Sequence, residues 1–187
     1  FNLGDALMDF QVETEVVINE SLALGTGGWL ASGIGEDFTE EVGFLDLHYS
    51  LHENVTLTTS ASYHAYNDDF FNSGLDLGSS VSWHLAADWS INFEIHRDLA
   101  AHGWYVNLGS DWSFRLSDKT YIALSTGISA LEKYYGLSGL NDFHGQVSLV
   151  CNLNSMLSIT PFAGWSCELD VGDGDEIYAG LWFEVSF

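Results

Sequence analysis

Residues 177–187 alternate between apolar side chains and side chains that are mostly small or polar. The apolar positions of this segment are Ile177, Ala179, Leu181, Phe183, Val185 and Phe187. The positions between them hold Tyr, Gly, Trp, Glu and Ser. A repeat of two residues is the pattern of a β-strand whose two faces meet different surroundings. The sequence therefore predicts an amphipathic strand over this segment.

The same alternation runs through most of the chain from residue 42 to residue 169. Short connections at 52–54, 86–88, 117–119 and 154–156 alternate with longer ones at 33–41, 67–74, around 101, 132–141 and 170–176. Alternating short turns and long loops are typical of transmembrane barrels. The pattern predicts an all-β fold, an up-and-down antiparallel β-barrel of about ten strands, with about eight or twelve as alternatives.

The first 41 residues have a less regular pattern. Residues 1–10 show no clean period, which indicates a lead-in or a plug, and the barrel is assigned to residues 11–187. Residues 11–30 fit either one long strand or a hairpin that turns at 19–21. Because single-chain bacterial barrels usually have an even number of strands, we favour the long strand.

The polar face of the predicted strands decides what surrounds the barrel. In a soluble barrel or sandwich this face would meet water and carry many Lys, Arg and Glu side chains. Here it holds mainly Ser, Thr, Gly, Ala, Asn and His, which suits a narrow lumen. The apolar face has aromatic residues at both ends, as expected at the two interfaces of a membrane: Tyr49, Trp83, Trp89, Trp112, Phe114 and Phe187 near short turns, and Trp29, Tyr63, Trp104, Phe143 and Trp165 near long loops. The sequence therefore predicts a barrel with lipid outside.

Composition excludes one large class of partner. The formal net charge is −23, with only four Lys and Arg residues. Phosphate binding needs basic side chains, so we expect no nucleic-acid partner. Cys151 and Cys167 fall on neighbouring strands, opposite Ile159 and Phe143 respectively. They lie at different heights on the apolar face, so we predict two free thiols.

The final strand resembles the C-terminal strand of bacterial outer-membrane β-barrels. In that family this strand closes the barrel against the first strand, and its terminal aromatic residue is read by the assembly machinery. The resemblance implies an outer-membrane location in a Gram-negative-type bacterium, with Phe187 as the insertion signal. Residues 12–66, with VETEVVINESLALGTGG, GIGEDFTEEV and FLDLHYSLHENVTLTTSASYH, are similar in layout to a family of porins of unknown function.

Titratable side chains are frequent on the predicted lumen face. They are Asp46, His48, His64, Asp76, His84, Glu94, His96, Asp111, Arg115, His144, Glu168 and Glu184. His with carboxylate is a ligand set for transition metals, so a metal site is one hypothesis. A hydrogen-bonded polar lumen is the alternative, which we favour because His64, His96 and His144 come from three non-adjacent strands.

The predicted outer loops are acidic. Their carboxylates are Glu36, Asp37, Glu40, Glu41, Asp68, Asp69, Asp170, Asp173, Asp175 and Glu176. Such clusters suit Ca²⁺ or Mg²⁺, but residues 170–176 lack the spacing of a calcium loop. We favour a solvated acidic surface that repels anions, with no cofactor.

The acidic lumen predicts a narrow, cation-preferring pore for small solutes or ions. The alternative is a closed structural or interaction barrel that acts through its acidic loops or a partner subunit. An enzyme is not expected, because His144 and Ser148 lie roughly 13 Å apart along one strand, too far for a nucleophile and its base.

Overall fold

The alternating segments form one antiparallel sheet in which every strand pairs with its neighbours in sequence. The computed structural model describes residues 7–33, 38–67, 71–172 and 174–186. Its strands are β1 (Leu7–Asn19), β2 (Leu22–Gly33), β3 (Thr39–His52), β4 (Val55–Tyr66), β5 (Gly74–Ala86), β6 (Trp89–Asp98), β7 (Gly103–Arg115), β8 (Thr120–Tyr134), β9 (Leu137–Asn152), β10 (Leu157–Glu168) and β11 (Glu176–Val185). The predicted all-β, up-and-down architecture is confirmed, with eleven strands where about ten were expected.

The additional strand comes from the N-terminal hairpin. Residues 11–30 do not form the single long strand that we favoured, because the chain turns between Asn19 and Leu22. The Asn19 side-chain oxygen accepts a hydrogen bond from the Ser21 backbone N–H at 2.9 Å, which stabilises the turn. A 20-residue strand would span about 66 Å, about twice the thickness of a bilayer core. The hairpin was the correct alternative.

The first strand starts inside the predicted lead-in. Leu7 pairs with Gly33, so β1 begins at the end of the sheet that also carries residues 71–73 and 169–172. We call this the long-loop end, and the opposite end, with residues 53–54 and 87–88, the short-turn end. Residues 1–6 lie outside the described part of the chain, so a plug remains a prediction.

The two faces of the sheet differ as the alternation predicts. Large apolar side chains of the apolar face are exposed, such as Leu45 (49%), Tyr63 (55%) and Phe183 (66%). The buried hydrophobic residues among those described are only Ala31 and Ala101. A soluble protein would cover its apolar side chains in a core, whereas this sheet presents them outward.

Most predicted belt residues lie on the apolar face. Near the short turns, Trp83 is 50% exposed and Trp89 stacks on Trp112 with ring centroids 6.3 Å apart. Near the long loops, Trp104 is 41% exposed. Trp29 is the exception, because its register with Val42 places it on the polar face. Phe187 lies outside the described residues.

The connection between β8 and β9 is tighter than predicted. Residues 132–141 were expected to form a loop, but the two strands continue to Tyr134 and Leu137. The left-handed backbone of Lys133 (φ 58°), Tyr135 (φ 45°) and Gly136 (φ 86°) makes the reversal possible within two residues. The resulting hairpin tip reaches back to the β4–β5 connection, where the Tyr135 hydroxyl accepts from the Asn72 N–H at 3.3 Å.

Strands β1 and β11 are the edges of the sheet. No ladder joins them among the described residues, so the expected closure of the last strand against the first is not observed there. An odd number of up-and-down strands makes the two edge strands run in the same direction. No helix in the described ranges is both long and apolar enough to cross a bilayer.

The C-terminal half contains the two cysteines and the single proline. Both thiols are free, and the predicted partners are correct, with Cys151 opposite Ile159 and Cys167 opposite Phe143. Pro161 pairs with Leu181 of β11, but the ladder to β9 is interrupted beside it without a change of register. This is the expected effect of a residue that lacks a backbone N–H.

Candidate functional site

The polar face of the sheet is the candidate functional site. The strand register places all the predicted lumen residues on this face: Asp46, His48, His64, Asp76, His84, Glu94, His96, Asp111, Arg115, His144, Glu168 and Glu184. They share a face because each cross-strand pair in the ladder joins positions of the same orientation. The face continues onto β1, where the register adds Asp9, Glu13 and Glu15.

Three histidines toward the long-loop end each bind their own carboxylate. His64 Nδ1 lies 2.9 Å from Glu40, and its Nε2 lies 3.0 Å from the Ser62 hydroxyl. His96 Nδ1 lies 3.0 Å from Asp76. The imidazoles do not converge on one point, as their origin on non-adjacent strands suggested.

The third pair belongs to a larger hydrogen-bond cluster. Asp142 accepts from the Ser166 hydroxyl at 2.7 Å and from Ser129, and it lies 3.1 Å from His144 Nδ1. In each of the three pairs the carboxylate side chain is less exposed than the imidazole. In this third pair the exposed fraction is 19% for Asp142 and 30% for His144. The imidazoles therefore partly cover the acids.

Glycines on neighbouring strands make room for these rings. A Cβ on Gly78 would lie 2.6 Å from the His96 ring, and a Cβ on Gly127 would lie 2.6 Å from His144 Nε2. The Tyr178 ring lies over Gly164 in the same way and occupies the space that a Cβ there would need. Because the rings lie against the backbone of the sheet, they project less into the space in front of it.

Aromatic and acidic side chains meet near the long-loop end. The Tyr66 hydroxyl, at the end of β4, lies 3.5 Å from His64 Nδ1. Tyr134, at the end of β8, lines the same cavity as Asp98. The Tyr66 ring lies 5.1 Å from the Phe71 ring, between centroids. Tyr66 and Tyr134 lie beside residues of the histidine–carboxylate pairs on the same face.

Several of these residues were not identified from the sequence. Asp142 and Tyr134 lay in or beside a segment predicted to be a loop, and Tyr66, although its strand position is on the polar face, was not a predicted site residue. The signal that was available is the continued alternation Asp142, His144, Gln146 on one face of β9. Glu40 was assigned to an acidic loop, whereas its side chain lies on the polar face against His64.

The other predicted loop carboxylates are dispersed. Glu41 pairs with Leu30 and Ala65, so it lies on the opposite face from Glu40. Asp175 accepts from the Glu168 backbone N–H at 3.0 Å, and Asp170 lies beside Gly139. Glu176 begins β11 on the polar face. Glu36, Asp37, Asp68, Asp69 and Asp173 lie outside the described residues.

Charge on the polar face is predominantly negative. Among the described positions, the basic residue of the polar face is Arg115, at the short-turn end. Asp118 lies 2.6 Å from its guanidinium and neutralises it locally. The described residues contain no group of three or more His, Cys, Asp and Glu side chains arranged to hold a metal ion. The arrangement can therefore attract cations along the face without chelating a metal at one point.

Comparison with solved structures identifies proteins of similar fold, whereas the two sequence comparisons find no match. No protein-family model matches the sequence. No curated protein matches it either. Among solved structures, the chain is similar to the NanC porin with a TM-score of 0.66 and 8% identity over 98% of this chain and 95% of that one. It is similar to the KdgM porin with a TM-score of 0.66 and 12% identity over 97% of this chain and 99% of that one. At these identities the likeness concerns the fold, and the chain has a porin-like β-barrel fold, as its final strand predicted.

Proposed function

We propose that this chain is an outer-membrane β-barrel that acts as a narrow, cation-preferring pore for small solutes or ions. The observation that carries the proposal is the acidic polar face, which runs along the strands with Arg115 as its basic side chain among the described residues. The exposed apolar side chains of the opposite face support a lipid environment. The two porin structures support a channel rather than an enzyme.

The proposed location is the outer membrane of a Gram-negative-type bacterium. Its partners there are the lipid bilayer and the outer-membrane assembly machinery, with the terminal Phe187 as the signal that this machinery reads. Neither a nucleic acid nor a metal cofactor is part of the proposal.

Cation preference comes from carboxylates that face the permeating ion. Glu94 lies opposite Ser80 and Asn107, near the middle of its strand, and Asp111 is exposed opposite Ser90 and Ser125. Fixed negative charges at these points raise the local concentration of cations and lower that of anions.

Bilayer recordings of charge-neutralised variants test this proposal. We expect the refolded protein to form discrete openings in planar bilayers, with a reversal potential in a KCl gradient that indicates cation selectivity. Replacing Glu94→Gln and Asp111→Asn together lowers the cation-to-anion permeability ratio. The matched control is Glu132→Gln, whose cross-strand partner Trp104 places it on the apolar face, and it leaves the ratio unchanged.

A closed structural or interaction barrel is the second candidate. The observation in its favour is a set of bulky rings on the polar face, where Phe162 lies 5.9 Å from Trp182 and 6.4 Å from Tyr178 between ring centroids. Ten to eleven strands enclose a bore that side chains can largely fill. A folded, heat-modifiable protein without conductance would contradict the pore and support this candidate.

A further inference from the structure

We propose that the long-loop end of the polar face holds a binding subsite for small alkylammonium ions, that is, organic cations with one protonated amine on a short apolar stem. The subsite lies at a cavity between β4, β5, β6 and β8. Its lining residues include His64, Tyr66, Asn72, Asp76, Asp98 and Tyr134. The physiological role of the subsite rests on the proposed cation-preferring pore, although its binding can be tested separately.

Two carboxylates lie side by side in the lining of this cavity. Asp76 of β5 and Asp98 of β6 are direct partners in the antiparallel ladder, on the same face. Like charges in this arrangement repel each other, and the described residues that line the cavity include no Lys or Arg. A cation placed beside both would relieve the repulsion.

Neighbouring groups hold these two acids in position. Asp98 accepts hydrogen bonds from the backbone N–H groups of Ala100 and Ala101 at 2.8 and 2.9 Å, and Asp76 binds His96 at 3.0 Å. The site is therefore preorganised before any ligand arrives, which reduces the cost of binding.

The rings of Tyr66 and Tyr134 line the cavity, and the rings of Phe71 and Tyr135 connect them. Ring centroids lie 5.1 Å apart for Tyr66 and Phe71, 5.8 Å for Phe71 and Tyr135, and 5.3 Å for Tyr135 and Tyr134. This row of rings joins the β4–β5 connection to the tip of the β8–β9 hairpin. Tyrosine and phenylalanine faces attract organic ammonium ions and pack against their apolar stems.

The geometry favours an organic cation over a metal ion. A divalent metal needs several oxygen ligands that converge at short range. Within the described ranges no such group of three or more metal-ligating side chains is present. Two carboxylates next to phenol rings instead provide hydrogen-bond acceptors for N–H groups together with a surface for carbon atoms.

Binding of n-butylammonium to the full-length refolded protein tests the proposal. Isothermal titration calorimetry in detergent gives the dissociation constant, and block of the K⁺ current in planar bilayers gives a half-blocking concentration. We expect tighter binding of n-butylammonium than of K⁺. The double variant Tyr66→Leu/Tyr134→Leu raises the dissociation constant about threefold to tenfold, since each ring contributes a modest attraction.

Two further variants test whether the charge of Asp98 contributes to n-butylammonium binding and whether the effect is confined to the subsite. Asp98→Asn keeps a side-chain oxygen for the two backbone N–H groups but removes the charge, and we expect it to weaken binding as well. Tyr121→Leu is the matched control, because Tyr121 pairs with Arg115 at the short-turn end of the same face, and it leaves binding unchanged. Far-UV circular dichroism confirms that each variant is folded.

The outcomes separate the subsite from the pore. Unchanged n-butylammonium binding in Tyr66→Leu/Tyr134→Leu, or binding no tighter than that of K⁺, overturns the subsite even if the protein conducts cations. If calorimetry shows that n-butylammonium binds and that the two tyrosines are needed for it, while bilayers show no cation-selective current, the subsite is supported and the pore is contradicted. If the double variant does not fold, Asp98→Asn decides, since unchanged binding there also overturns the subsite.

Discussion

Single glycines determine how far the rings of the polar face project. A Cβ at Gly127 would lie 2.6 Å from His144 Nε2 and 2.9 Å from the Asn107 side-chain oxygen, whereas a Cβ at Gly109 would meet its nearest atom at 3.4 Å. Contacts below 3 Å force a neighbour to move. The histidine would then have to leave the wall of the sheet.

Gly127→Ala therefore destabilises the protein and narrows the pore. We expect a loss of about 1 kcal/mol or more in the free energy of unfolding by urea, together with a smaller single-channel conductance. Gly109→Ala is the matched control and is neutral or slightly stabilising, since alanine costs less entropy than glycine in a strand. Equal effects of the two substitutions would contradict the proposed role of Gly127.

At the scale of elements, the alternation of residues predicted the fold well. From β3 to β11 it placed each strand and assigned its two faces, because side chains of a strand alternate strictly. It succeeded even for the relative positions of Cys151 and Cys167, which follow from where the 154–156 turn reverses the chain.

Its errors arose where a turn lacks a distinctive pattern. The Asn19 turn lies inside a run of compatible alternation, so nothing but strand length distinguished a hairpin from one long strand. At the β8–β9 tip, Gly136 and Tyr135 allow a reversal in two residues, whereas a Gly-containing segment was predicted to be a loop. Both errors concern connections, whose geometry depends on backbone torsions rather than on hydrophobicity.

The candidate site could be predicted only in part, for a related reason. Alternation assigns a side chain to a face, and it did so for His64, His96 and His144. Across a short turn the position of the turn also gives the register, so Asp76 opposite Asp98 follows from the 86–88 connection. The contact of Glu40 with His64 depends in addition on side-chain rotamers, which need the folded sheet.

At the scale of the whole molecule, the central claim is that the polar face lines a water-filled conducting path while the apolar face meets lipid. Ser80 and Leu77 of β5 provide a matched pair of positions. Ser80 lies on the polar face opposite Glu94, and Leu77 lies on the apolar face, 44% exposed.

Thiol modification during current recording tests this claim most directly. Ser80→Cys and Leu77→Cys are introduced separately into a protein in which Cys151 and Cys167 are replaced by serine. A positively charged, membrane-impermeant methanethiosulfonate is then added to bilayers that contain open channels. The account predicts a stepwise decrease in current for Ser80→Cys and no change for Leu77→Cys. A decrease for Leu77→Cys with no reaction at Ser80→Cys would contradict it.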